Sequence, residues 1–208
     1  MAKDWTGNGN SIWKTLGASN HTDKERQRED FYATDGVAID KLRKSYDIPK
    51  RVWECSCGEG HLSKRLLSFG HQVYSSDLID RGYGVTGRDF LMEQSFPWVG
   101  YDLEDCCILT NPPFKPSVDF IEHALRIAPY DHTPIIMLMK TTALEGKGRW
   151  ERLYSKGTLH AIYQFRERLL CAKNADFEGM RNGGGSAVAY AFYLFMRKRC
   201  DAPKIYWI

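Results

Sequence analysis

The sequence predicts a doubly wound α/β domain with a mostly parallel sheet and an antiparallel hairpin near its C-terminus. Three observations predict it. Apolar runs of strand length alternate with stretches of helical periodicity, a glycine-rich turn follows the first run directly, and two apolar runs follow one another in the last third. The 208 residues, 43% of them hydrophobic, suit one domain with a sizeable core and leave no room for a second.

Residues 1–30 are polar, with Gly7, Gly9, Gly17 and a charged run from Asp23 to Asp30, so they are expected to form an irregular arm ahead of a domain over 31–208. Val37, Ile39 and Leu42 predict a short helix between Asp35 and Tyr46, and Pro49 ends it before the buried strand Arg51–Cys55. A helix over His61–Ser68 is closed by Gly70 just past its end, and the next strand covers Gln72–Ser76. The pattern repeats with a strand over Cys106–Thr110 and a helix over Ser117–Ile127 that carries Val118, Ile121, Ala124 and Leu125 at helical spacing. Pro134–Met139 is the following strand. Leu159–Phe165 and Ala187–Met196 then read as the two arms of a hairpin at the sheet edge, separated by an insert from Arg166 to Ser186. An insert of that length inside a compact domain points to function or disorder.

The formal charge of +3 says little by itself, but the basic residues cluster. Lys24, Arg26 and Arg28 lie near the start, Arg166, Arg168, Lys173 and Arg181 in the insert, and Arg197, Lys198 and Arg199 near the end. The six cysteines sit mostly in apolar runs, and the Cys55-Ser56-Cys57 pair has no second ligand pair at zinc spacing, so packed reduced thiols are expected and no metal site. The polar first residues lack a secretion signal, and no apolar run approaches the roughly 20 residues that span a bilayer. The expectation is a soluble cytoplasmic protein with no membrane partner.

The first candidate site is the turn Glu54-Cys55-Ser56-Cys57-Gly58-Glu59-Gly60 between a strand and a helix. Glycines there let a ligand approach the main chain at the carboxyl ends of the strands. A nicotinamide fingerprint would need a small residue at position 63, where Ser63 only approximates it. Asp77 closes the second strand at the position from which a carboxylate reaches ribose hydroxyls, and Asp89 could accept from an adenine amine while Phe90 covers the ring. Both aspartates also suit ordinary loop starts. Asn111-Pro112-Pro113-Phe114, directly after a buried strand, is the most specific signal. Its prolines fix the backbone and remove two donors, leaving an acceptor-rich pocket. An exocyclic amine offers two hydrogens, one for the Asn111 side-chain oxygen and one for the Pro112 carbonyl, with Phe114 stacking on the base. A plain strand end accounts for the prolines and gives the asparagine and the aromatic no role.

These residues resemble the amino-methyltransferases, whose catalytic motif is Asp, Asn or Ser, then Pro-Pro, then Tyr or Phe. The resemblance maps that family's cofactor motif onto Glu54, Ser56, Gly58, Gly60 and Asp77, and its methionine-binding segment onto Phe31-Tyr32-Ala33-Thr34-Asp35, with Tyr32 and Thr34 as contacts. With Ser19-Asn20-His21 and Glu25-Arg26 added, the chain is most similar to the small adenine methyltransferases of bacteriophages and prophages, from about Asn20 to Lys198. Asp35 and Cys55 stand where the family commonly has proline.

The resemblance implies a Rossmann-like fold, S-adenosylmethionine as cofactor, and transfer of its methyl group to the N6 amine of adenine in double-stranded DNA. The base would be rotated out of the duplex into the Asn111–Phe114 pocket. Arg166, Arg168, Lys173 and Arg181, with Phe177 and the Gly183–Gly185 run, are expected to contact the nucleic acid. Larger members carry a separate target-recognition domain, a task that here would fall to a second copy or a partner protein, as in restriction-modification. Glutamine-modifying protein methyltransferases share the tetrapeptide, usually with Tyr at its end and a helical N-terminal domain, and RNA adenine is a further alternative acceptor.

Overall fold

Alternating side chains along the apolar strands build two cores, one on each face of a seven-stranded sheet. In Cys106–Thr110, for instance, Cys107 and Leu109 face one core while Cys106 and Ile108 face the other. The computed structural model describes residues 32–98, 100–173, 177–182, 186 and 188–208.

The strands are β1 Tyr32–Thr34, β2 Arg51–Glu54, β3 Gln72–Ser75, β4 Cys106–Thr110, β5 Ile135–Lys140, β6 Leu159–Gln164, β7 Cys171–Lys173, β8 Tyr190–Phe195 and β9 Lys204–Trp207. The helices are α1 Val37–Leu42, α2 His61–Ser68, α3 Ser117–Ile127, α4 Lys147–Arg152 and α5 Phe177–Asn182. The large sheet has the order β3-β2-β4-β5-β8-β6-β9, and β1 pairs with β7 in a separate two-stranded sheet. Ala38, Ile39 and Leu42 of α1 and Leu62 and Leu66 of α2 cover one face. Phe120, Ile121, Ala124 and Leu125 of α3 cover the other, a stripe repeating at three to four residues. The domain is therefore wound on both faces, as expected from its alternating pattern.

The C-terminal third corrects two expectations. The antiparallel strand is not at the edge: β8 lies between β5 and β6 and is antiparallel to both, while β9 pairs parallel to β6 and forms the border. All six residues of β8 are buried, which only a central strand allows, whereas β9 is exposed along its length and lacks the apolar alternation that announces a strand. The insert is also not a bare loop. Its Cys171–Lys173 stretch is β7, whose register sets Tyr32 opposite Lys173 and Thr34 opposite Cys171.

No described helix is long and apolar enough to cross a membrane.

Candidate active site

From β2 the chain crosses to β3 on one side of the sheet, while β4 lies on the other, which opens a crevice at their carboxyl ends. A cavity of about 490 Å³ fills it. Tyr32, Thr34, Glu54, Ser56, Asp77, Asp89, Phe90 and the whole stretch Asn111–Phe114 line this one space, although they come from five separate segments.

Glu54 ends β2 fully buried, and its carboxylate accepts a hydrogen bond from Ser63 Oγ in the first turns of α2. Ser63 Oγ in turn meets Ser75 Oγ at 2.6 Å, so this carboxyl ties β2, α2 and β3 together. Burial, assisted by the nearby Asp77 charge, pushes the Glu54 carboxyl up to about 8 against the lowering effect of Ser63. The native state therefore holds a proton that the unfolded chain, titrating near its ordinary value of about 4.3, has lost. Stability from this group is whole below the unfolded value and falls as pH rises toward 8. Thermal unfolding of Glu54→Gln from pH 5 to 8 should show a shallower decline than the parent protein; equal declines would mean that Glu54 ionises freely in the fold.

The turn after β2 is bound to the end of β3 through Asp77, which is 9% exposed. Its Oδ2 accepts from the Gly58 N–H at 2.8 Å and its Oδ1 from the Ile79 N–H at 2.9 Å. A carboxylate has about four acceptor positions, so both oxygens of this cavity-lining residue keep capacity. Gly60 has φ of 77°, and a Cβ there would fall 2.2 Å from the Tyr83 ring. The space beside this glycine is thus filled by Tyr83 rather than left for a ligand. Tyr83 is a residue that sequence reasoning passed over.

Ser56 fastens this turn to the other wall. Its Oγ lies 2.7 Å from Thr110 Oγ1 and donates to the Asn111 carbonyl at 3.0 Å. Asn111 Nδ2 donates to the Tyr32 carbonyl at 3.2 Å and to Thr34 Oγ1 at 3.0 Å. A main-chain carbonyl can only accept, so the NH2 must face β1 and the amide orientation is fixed. Asn111 Oδ1 is left buried with no partner among the described residues. Such an acceptor costs about 1–3 kcal/mol until a donor reaches it.

The aromatic and acidic neighbours have structural duties as well. Phe114 is half-buried, with its ring centroid 5.4 Å from that of Tyr32 and 6.3 Å from that of Tyr190. Phe90 is 2% exposed and packs edge-on against Trp53 at 5.3 Å, so it presents little ring surface to the cavity. Asp89 caps the short 3-10 turn Phe90–Met92 by accepting from the Leu91 N–H at 3.0 Å, the role of a loop-starting aspartate. Asp35, where the resembling family has proline, likewise accepts from the Val37 N–H at 3.1 Å and opens α1.

Leu78, Ile79 and Leu91 add apolar wall, and Arg81, Arg88 and Lys115 add positive charge. Their signal in the sequence was position alone: Leu78, Arg88, Leu91 and Lys115 each adjoin a residue already singled out, and Ile79 and Arg81 follow Asp77 by two and four positions. Arg166 and Arg168 do not line the cavity. They are exposed and follow β6, which runs in the direction of β5, so they share the carboxyl edge with the cavity. Arg197–Arg199 follow the reversed β8 and lie at the opposite edge, where Arg197 pairs with Asp131 and Arg199 with Asp201. Residues 1–31, including Lys24, Arg26 and Arg28, the Gly183–Gly185 run, and the side chains of Lys173 and Arg181 lie outside the described residues.

No protein-family model and no curated protein matches the sequence. Solved structures do match. The methyltransferase subunit of a type I restriction-modification system from Streptococcus thermophilus superposes with a TM-score of 0.56 at 13% identity, over 86% of this chain and 47% of that one. A modification subunit assigned to a type I restriction enzyme from Vibrio vulnificus gives 0.53 at 14% identity, over 96% and 50%. A Listeria monocytogenes protein assigned as a class I S-adenosylmethionine-dependent methyltransferase gives 0.56 at 12%, over 96% and 73%. The chain shares their Rossmann-like fold. It spans about half the length of the two restriction-modification subunits.

Proposed function

We propose that this chain transfers a methyl group from S-adenosylmethionine to the exocyclic N6 amine of adenine in DNA. The observation that carries the reading is the Asn111 amide, held by Tyr32 and Thr34 so that its oxygen is a buried acceptor without a donor. An NH2 group on a flat ring supplies that donor.

The residues present fit the cofactor. The cavity volume lies in the range of small-molecule sites, Asp77 retains acceptor capacity for ribose hydroxyls, and Leu78, Ile79 and Leu91 give an apolar bed for a purine. When bound, the cofactor supplies an electrophilic methyl group on a sulfonium. The chain's part is to bind and orient the amine. Hydrogen bonds to Asn111 Oδ1 and to the Pro112 carbonyl favour a more tetrahedral nitrogen whose lone pair is less delocalised into the ring. No strong base is needed, because the nitrogen becomes acidic as its new bond to carbon forms and its proton passes to water. Positioning and preorganised acceptors provide most of the acceleration.

DNA is favoured over a protein amide by Lys115 at the cavity and by Arg166 and Arg168, exposed on the same edge of the sheet. The likeness in fold to two restriction-modification subunits supports the same choice. On this reading a second copy or a separate subunit supplies target recognition. Incubation with labelled cofactor and, separately, duplex DNA, RNA or a total protein extract tests the proposal. Label is expected in DNA as N6-methyladenine; label only in protein or only in RNA would replace the assignment. Arg181→Ala should weaken DNA binding at low salt and leave cofactor affinity unchanged.

A further inference from the structure

Lys140, the last residue of β5, has no charged partner among the described residues. Its Nζ lies 4.3 Å from the centroid of the Phe114 ring. Among the described residues it makes no hydrogen bond or ion pair, although the side chain is partly buried. The other long cations near the sheet's carboxyl edge are mostly committed: Arg88 to Glu93, Lys41 to Glu167, and Arg149 to the carbonyls of Glu145 and Thr142.

Among the described residues, Tyr190, Tyr32 and Lys140 meet the Phe114 ring, and they differ in how easily they can leave. Tyr190 is 4% exposed in the central strand β8. Tyr32 belongs to β1, whose main chain is paired with β7 and whose carbonyl receives Asn111 Nδ2. Among the described residues the Lys140 ammonium is held by the ring and by no hydrogen bond or ion pair, on a flexible four-carbon stem. It stands opposite Tyr190 in the strand register, so both project on one side of the sheet toward Phe114. A base that stacks on Phe114 must displace something, and the ammonium is the group with least to lose, about 0.5–2 kcal/mol of cation–π attraction.

We propose that Lys140 keeps the place of the target base on Phe114 and, when the base enters, swings off the ring to pair with a phosphodiester group of the rotated nucleotide. The displaced cation then gains a charge-assisted contact that a neutral glutamine side chain could not offer. Lys140 is thus a positioning residue that selects a nucleic-acid substrate. This inference rests on the DNA reading above.

The test uses the full chain and a short duplex centred on the adenine that the labelling experiment identifies. Lys140→Met should raise KM for that duplex about tenfold, change kcat less, and lower the slope of log affinity against log salt by about one. Cofactor affinity and the thermal midpoint should stay as in the parent protein, and Lys140→Arg should restore the slope. Replacing the phosphates flanking the adenine by neutral methylphosphonates should weaken binding by the parent protein and leave Lys140→Met unaffected. If the parent protein labels DNA but Lys140→Met keeps the parent slope and KM, or loses cofactor affinity instead, this role is overturned and the DNA assignment stands. If the parent protein labels no DNA, both fall together.

Discussion

Asn111→Ala is expected to lower methyl transfer at least about a hundredfold, the scale of losing one preorganised hydrogen-bonding group in an active site, while cofactor affinity stays within about twofold. The split follows from the geometry. The hydrogen bond between Asn111 and the first loop is made by its main-chain carbonyl, which accepts from Ser56 Oγ and survives the substitution. Among the described residues its side chain hydrogen-bonds to Tyr32 and Thr34, and its oxygen has no hydrogen-bond partner. Asn111→Asp keeps an acceptor there and loses the two donated bonds, so it should retain more activity than the alanine variant at saturating substrate. Single-turnover rates and equilibrium binding of the cofactor separate the two effects. Transfer by Asn111→Ala within tenfold of the parent rate would remove the amide from the chemistry.

The second large effect is on stability. Gly60→Ala should destabilise the fold by about 3 kcal/mol, adding the cost of a left-handed conformation for a residue with Cβ, about 1–2 kcal/mol, to that of forcing an aromatic ring aside. The φ of 77° and the 2.2 Å approach to Tyr83 are separate obstacles and can be separated. In a Tyr83→Ala background the same substitution should cost only about 1–2 kcal/mol, because the ring is gone and the backbone strain is not. Urea unfolding of the four proteins in this cycle gives the comparison. Equal costs in both backgrounds would show that Tyr83 yields without resistance.

Much of the fold could be read from local patterns, and the failures share one cause. The limits of β4 and α3 agree with the expected Cys106–Thr110 and Ser117–Ile127, and those of α2 with a helix expected from about His61 to Ser68, since β4 is a continuous apolar run of strand length, both helices repeat their apolar residues at helical spacing, and Gly60 and Pro116 directly precede the helices. The misplaced elements depend on partners distant in the chain. β8 was recognisable as a strand but not as a central one, because its place between β5 and β6 is a property of the sheet. β9, exposed at every residue, exists through its pairing with β6. β1 and β7 are three residues each and stabilise one another across more than a hundred positions.

The site divides the same way. Asn111–Phe114, Glu54, Ser56 and Asp77, which line the cavity, could be singled out because each lies at or just after the carboxyl end of a strand, where the fold puts its crevice. The orientation of the Asn111 amide was not legible. It depends on two acceptors in β1, one of them 77 residues away. Tyr83 and Lys140 were missed because neither carries a pattern; their meaning lies in which ring or glycine they meet.

The pairing of β1 with β7 divides the Arg166–Ser186 segment into parts with different freedom to vary. Its strand portion supports the very carbonyl and hydroxyl that aim the Asn111 side chain, so Cys171–Lys173 is as constrained as the tetrapeptide itself. Among the described residues of the rest of the segment, Phe177–Asn182 and Ser186, none hydrogen-bonds to Asn111. A chimera that replaces the part of this segment after Lys173 is expected to keep the β1–β7 pairing that supports the Asn111 partners, whereas one that replaces Cys171–Lys173 as well is expected to lose it.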